Sequence, residues 1–389
     1  MPWKEVSSMS ARSEFVAFAL QPGANISALC MRFRISRKTA YKWIARFKSD
    51  GPTALADRPR KPLNSPDRSA PDVECAVIQL RHAYRWGGRK IAARLKSLGA
   101  VHVPHPSTVS AILKRHGLID PREALKHVAF TRFERPAPNE LWQMDFKGHF
   151  PLADGTRCHP LTVLDDHSRF NLVLKACPDE TGRTVYDALV PAFERYGLPA
   201  QMLMDNGPPW GDDADSPYTK FNIRLLRLGI DVIHGRPFHP QTQGKEERFH
   251  RTLVQELLKD RLFRDLVQTQ PVFDRYNHVY NFERPHESLG MQPPASRYTI
   301  SPRPFPSTLP DICYPASDTV CNVHDKGRFK FLKRECCVSK AFTGQPIGLR
   351  PTSIDGRWEV YFCRFRIGFL DLKIGARVFW KLDDDMLPN

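Results

Sequence analysis

Zinc-ligand spacing is missing from this 389-residue chain. Its nine cysteines include no Cys-x-x-Cys pair, and the adjacent Cys336 and Cys337 cannot readily share one tetrahedral ion. A structural zinc is therefore not expected. The odd count and the lack of framework spacing fit a reducing compartment. The amino terminus lacks the continuous apolar core of a signal peptide, and no stretch approaches the roughly 18 apolar residues of a membrane span. The expectation is a soluble, cytoplasmic protein with no membrane partner. A Gly-x-x-x-x-Gly-Lys-Ser/Thr phosphate loop is also missing, so ATP is not expected. Acidic charge is scarce at the ends. Residues 1–140 carry 25 Lys and Arg against 11 Asp and Glu, a balance of +14, whereas 141–300 stand at −2 and 301–389 at +4. With a net charge of +16 and a pI near 9.5, the ends suit phosphates and the middle holds the acids.

Three of those acids stand in well-marked contexts. In Leu141-Trp-Gln-Met-Asp-Phe-Lys147, apolar Trp142, Met144 and Phe146 alternate with Gln143, Asp145 and Lys147, so a strand buries one set and turns Asp145 to the other face. Gln201–Met204 is a second strand ending at an Asn-Gly turn signal, which places Asp205 at its carboxyl end, where open α/β sheets tend to carry sites. Glu247 lies early in a helix after Pro240, with periodic Phe249, Leu253, Leu257 and Leu258. If the three carboxylates converge, the repulsion needs a cation among them, and hard oxygen ligands in that number suit two Mg²⁺ or Mn²⁺ ions.

These motifs resemble the catalytic core of DDE transposases and retroviral integrases, and most closely that of bacterial insertion-sequence transposases. The resemblance extends over Asp166-His-Ser-Arg169, Asp205-Asn-Gly-Pro-Pro-Trp210, His239-Pro-Gln-Thr-Gln-Gly-Lys245, Arg248-Phe-His-Arg251 and Asn281-Phe-Glu-Arg-Pro-His286. It implies an enzyme in which Asp145, Asp205 and Glu247 bind metal and catalyse cleavage and strand transfer. Its partner would be double-stranded DNA, as terminal inverted repeats and as target, bound by a homo-oligomer associated with the bacterial nucleoid. A catalytically silent DNA-binding regulator derived from a transposase is the alternative. Of the adjacent glutamates, Glu246 falls on the packing face of its helix while Glu247 shares a face with Arg251, so Glu247 is the expected ligand. The family usually has an apolar residue where Glu246 stands. Asp165 and Asp166 sit in a turn with Ser168, where Asp commonly caps backbone groups. Asp212, Asp213 and Asp215 read as a solvated connection.

The fold class expected is multidomain α and α/β. Residues 1–50 form a helix-turn-helix, with helices at Ile26–Phe33 and Arg37–Phe47, Ser36 as N-cap and a core stripe of Ala40, Trp43, Ile44 and Phe47. Outward Arg37, Lys38, Tyr41, Lys42 and Arg46 suit a major-groove helix. A Pro-rich linker spans 51–71. A second helix-turn-helix unit, 72–120, has stripes of Ile91, Leu95 and Leu98 and of Val109, Ile112 and Leu113, leaving Thr108, Lys114 and Arg115 to contact DNA. After a basic linker, 121–138, an RNase H-like integrase core occupies 139–290, with Lys245 and Arg251 beside DNA. His239 and Gln241 share that segment. Trp210 is expected to fill the core, and Arg284 and His286 to close it. A Pro-rich linker, 291–317, leads to a small β-barrel at 318–389, whose near end is basic through Arg328, Lys330, Lys333 and Arg334.

Overall fold

The computed structural model describes residues 8–57, 69–119, 134–211, 217–234 and 244–380. The chain divides into two compact units, at Arg68 and Ser69. Expectations for Asp212, Asp213, Asp215, His239 and Gln241 fall outside the described residues.

The first unit holds three helices, α1 (Ser8–Ala19), α2 (Ile26–Arg32) and α3 (Arg37–Asp50). Ser36 caps α3, its hydroxyl accepting from the Thr39 amide at 3.1 Å. Ala40 and Trp43 are buried with Phe15, Val16, Cys30 and Leu55, and Ile44 and Phe47 pack against that cluster. Helix α1 packs Phe15 and Val16, with Ala19 one turn on, into the same cluster. A single 3-10 turn, Pro52–Leu55, buries Leu55 in the same core, so this unit extends past the linker boundary expected at 51.

The second unit opens with α4 (Pro71–Tyr84), α5 (Gly88–Ser97) and α6 (Pro106–Arg115), packed around Val77, Trp86, Ile91, Leu95, Val109, Ile112 and Leu113. Proline begins α4 and α6, where a missing N–H costs nothing. Leu98 corrects the expected stripe: α5 ends at Ser97, Gly99 turns the chain at φ +74°, and Leu98 is exposed.

The sheet that follows contains β1 (Leu141–Phe146), β2 (Phe150–Pro151), β3 (Arg157–Asp165), β4 (Asn171–Cys177), β5 (Gln201–Met204) and β6 (Asp231–His234). Strand β3 pairs antiparallel with β1 and β4, while β1, β5 and β6 run parallel. Helices α7 (Gly182–Tyr196) and α8 (Lys220–Arg227) precede β5 and β6. One face packs Trp142, Met144, Met202 and Met204 against α7 residues Val185, Leu189 and Phe193. The other packs Leu164 and Leu174 against α9 (Gly244–Leu253) and α10 (Leu266–His278) through Phe249, Leu253 and Phe273. Each of these two helices passes into a π turn, Val254–Leu258 after α9 and Val279–Glu283 after α10.

Two boundaries need correction. The domain already begins at residue 134 among the described residues, because the Arg135 amide donates to Asp166 at 2.7 Å and its guanidinium to Gln201 at 2.8 Å. The expected linker 291–317 is strapped to the core over its first half. Tyr298 stacks on Phe170 with centroids 4.3 Å apart, and Arg303 donates to the carbonyls of Pro199, Leu228 and Gly229.

The carboxyl-terminal domain is an open sheet rather than the expected barrel. Five antiparallel strands run in the order β13 (Val378–Trp380), β12 (Phe365–Asp371), β11 (Arg357–Phe362), β10 (Pro346–Pro351) and β7 (Thr319–Asn322), leaving β13 and β7 as edges. A separate hairpin, β8 (Arg328–Phe331) with β9 (Arg334–Cys337), covers the sheet. Closure fails because the edge strands are short and unpaired with each other, and the apolar face is covered instead by the hairpin and by Ile223 and Leu226 of α8.

Candidate active site

Strands β1 and β5 set the site. Their register pairs Trp142 with Met202 and Gln143 with Leu203, and two residues further it brings Asp145 level with Asp205 at the carboxyl ends of two parallel strands. Each Asp accepts the next residue's amide on one carboxylate oxygen, Phe146 to Asp145 and Asn206 to Asp205, both at 2.8 Å. The Asp145 side chain is 31% exposed. Burial, reinforced by the nearby Asp205 charge, raises its pKa to about 6.

Helix α9 crosses this edge carrying both glutamates, and it treats them oppositely. Glu246 is fully buried. Its Oε2 lies 2.9 Å from the Thr162 hydroxyl, which also contacts the Asp145 carbonyl at 3.0 Å and His250 Nε2 at 2.8 Å. One hydroxyl has one proton, and the carbonyl can only accept. If Thr162 donates to that carbonyl, a protonated Glu246 and an Nε2–H tautomer of His250 satisfy the other two contacts. Burial acts the same way, pushing Glu246 well above the usual carboxylate range and His250 down to about 3. His250 Nδ1 lies 3.9 Å from Asp145 Oδ2. Glu247 is 72% exposed, with Arg251 of the next turn 3.9 Å away. Among the described residues no three His, Cys, Asp or Glu side chains are gathered at metal-holding distance. Asp145 and Asp205 are brought together; the Glu247 carboxylate shares their edge without joining them.

A second acidic cluster lies further along the same strands, where Asp165 pairs with Trp142 of β1. Asp165 accepts from the Ser168 amide and hydroxyl and from the Asn139 amide. Asp166 accepts from Gln143 at 2.6 Å and from Arg135, and it pairs with Lys245. Both are fully buried. Lys245 is thus turned inward onto Asp166, 15% exposed. Thr162, His250 and Gln143 were not singled out from sequence. His250 could have been, since it stands four residues after Glu246 on one helix face.

Arg37, Lys38, Tyr41 and Lys42 are exposed on α3 and Arg46 is half-buried; Lys42 and Arg46 lie 4.9 and 5.0 Å from the Trp43 ring centroid. On α6, Thr108 and Lys114 are exposed, while Arg115 pairs with buried Glu74 at 2.5 Å. Trp210 fills the core, stacked on Phe146. Arg284 makes a bidentate bond to Glu256, and His286 bonds Ser288.

Known families match each part of this arrangement. Integrase core domain families match residues 135–240 and 228–294. A helix-turn-helix domain matches 12–62, a homeodomain-like domain 39–113, and the IS481 family transposase C-terminal domain 318–377. The sheet and its flanking helices are therefore an integrase core, joined to helix-turn-helix units. Together with the match of residues 318–377 to the IS481 family transposase C-terminal domain, these domains are similar, part by part, to those of insertion-sequence transposases with an integrase-type core. The insertion element IS476 uncharacterized 39.2 kDa protein of Xanthomonas euvesicatoria is 32% identical over 158 residues, 41% of this chain and 44% of that protein. The insertion element IS407 uncharacterized 31.7 kDa protein of Burkholderia multivorans is 26% identical over 236 residues, 59% of this chain and 82% of that protein. The Gag-Pro-Pol polyprotein of sheep pulmonary adenomatosis virus is 31% identical over 150 residues, 37% of this chain and 8% of the polyprotein. The alignment to the first of these spans less than half of that relative's length.

Proposed function

We propose that the chain binds the ends of an insertion sequence and carries out metal-dependent cleavage and strand transfer at Asp145, Asp205 and Glu247. The observation that carries this reading is the level placement of Asp145 and Asp205 on adjacent parallel strands, under a helix that exposes Glu247 and buries Glu246. Asp145 and Asp205 each keep one carboxylate oxygen clear of the backbone bond described above, and hard oxygens reachable from solvent fit Mg²⁺ or Mn²⁺. Ions held there, two in number, would supply Lewis acidity and a deprotonated nucleophile. His250 and Thr162 hold Asp145 and its strand in place. At the element end, water adds to phosphorus as the P–O bond to the 3′ carbon's oxygen breaks, freeing a 3′-hydroxyl. That hydroxyl then attacks a target phosphodiester in line, so one P–O bond forms as another breaks. The exposed cations of α3 hold the end sequence, and a homo-oligomer brings two ends together.

The test uses the full chain, Mg²⁺ and a duplex bearing the terminal repeats that flank its reading frame. Joined products support transposition. Nicks alone point to a nuclease, and binding alone to a regulator.

A further inference from the structure

The catalytic domain offers two carboxylates to the second helix-turn-helix unit. Glu283, in the π turn after α10, bonds Arg94 of α5 and accepts from the Tyr84 hydroxyl at 3.4 Å. Both of these partners belong to the reader. Glu256, in the π turn after α9, is held by Arg284 and lies 3.7 Å from Lys90 of α5. Val279 packs into the apolar cluster around Trp86 and Ile91. All four charged side chains are at most about a quarter exposed, Arg94 18%, Glu283 24%, Lys90 20% and Glu256 10%. Removing the reader would leave Glu283 without these bonds and uncover Val279. Helix α5 is thereby committed to the core, while Thr108 and Lys114 on α6 stay exposed.

Both anchors grow from the ends of helices that pack under the active-site sheet, one of them α9 itself. A shift of the reader is therefore a shift relative to Asp145 and Asp205. We propose that Glu283 and Glu256 are positioning residues that latch α5 to the catalytic domain, fixing α6 at a set offset from the active site and so selecting the phosphodiester cut at an element end. The offset rests on the transposase reading; the latch itself does not. Misplacement by about an ångström is enough to lower a rate about a hundredfold.

The experiment compares full-length Arg94→Glu, Glu283→Arg and the double exchange, each verified as folded by circular dichroism. Hydrogen exchange of residues 88–97 and 279–283 without DNA reads the latch. End-labelled terminal-repeat duplex with Mg²⁺ reads the cut. Each single exchange is expected to lose protection in both segments, to spread cleavage over several neighbouring positions and to lower joining at the correct nucleotide by about a hundredfold, with end binding kept. The double exchange should regain protection and the single cut. Single variants that keep wild-type protection overturn the latch. Lost protection with an unshifted cut overturns the offset, as does a double exchange that regains protection but not the cut. A wild-type chain that neither cuts nor joins overturns the transposase reading and the offset with it, while the exchange measurement still decides the latch.

Discussion

Two acidic regions lie on neighbouring strands of the integrase-core sheet, and they differ in how completely their charge is answered. Asp165 and Asp166 are fully buried, and every contact around them is a donor. Asp145, Asp205 and Glu247 each make a single short backbone bond or one long ion pair. A carboxylate whose lone pairs are already filled by protein donors holds structure; one left partly unanswered at a strand end is ready for a ligand. Glu246, although it adjoins Glu247, stands apart from the cleft acids: it is fully buried, and burial favours its neutral form.

The largest effect expected from this contrast falls on chemistry. Asp145→Asn and Asp205→Asn should each lower Mg²⁺-dependent joining by about a thousandfold or more, with melting temperature not lowered and end binding unchanged. A parallel loss of fold would move these residues into the structural set. Asp166→Ala should behave in the opposite way: it strands Lys245 and Gln143, and denaturant unfolding should show a loss of about 3–5 kcal/mol. A fully stable variant would mean the buried cluster is dispensable.

Acidity sharpens the comparison further. The metal-free Asp145 carboxyl titrates near pH 6, above its unfolded value. Its neutral form is thus favoured by folding, and without metal this group costs stability progressively as pH rises from about 4 to 6. Metal needs the ionised form, so Mg²⁺ affinity by calorimetry should be flat above about pH 7 and fall about tenfold per unit below 6. Affinity unchanged down to pH 5 would mean that Asp145 is not a ligand. The smallest effect is at the periphery, where Lys42→Ala should weaken end binding by about 1–3 kcal/mol if it reads a base. In a gel-shift series, no change against specific or random duplex would remove α3 from the reading surface.

Much of this was legible in the sequence because it is local. The alternation in Leu141–Lys147, the Asn-Gly stop after Met204, the Ser36 cap and the opposite faces of Glu246 and Glu247 all depend on neighbours a few residues away. The remainder depends on distant partners. The ion pair of Lys245 was not legible because its partner Asp166 lies 79 residues earlier. Residues 291–317 looked like a linker because the carbonyls that hold Arg303 lie near residues 199 and 229. The barrel failed for the same reason: closure is a property of pairing between β7 and β13, which strand-by-strand alternation does not encode.

The adjacent glutamates give the most direct test. Strand transfer should be measured for Glu247→Gln and Glu246→Gln in parallel, in Mg²⁺ on terminal-repeat duplex, with both proteins matched for melting temperature. Joining abolished in Glu247→Gln and retained within a few-fold in Glu246→Gln is the result expected, because an amide at 246 can still donate to Thr162 whereas one at 247 removes a charge the ions need. Loss in Glu246→Gln with retention in Glu247→Gln would contradict the assignment and place the buried carboxylate at the centre of the chemistry.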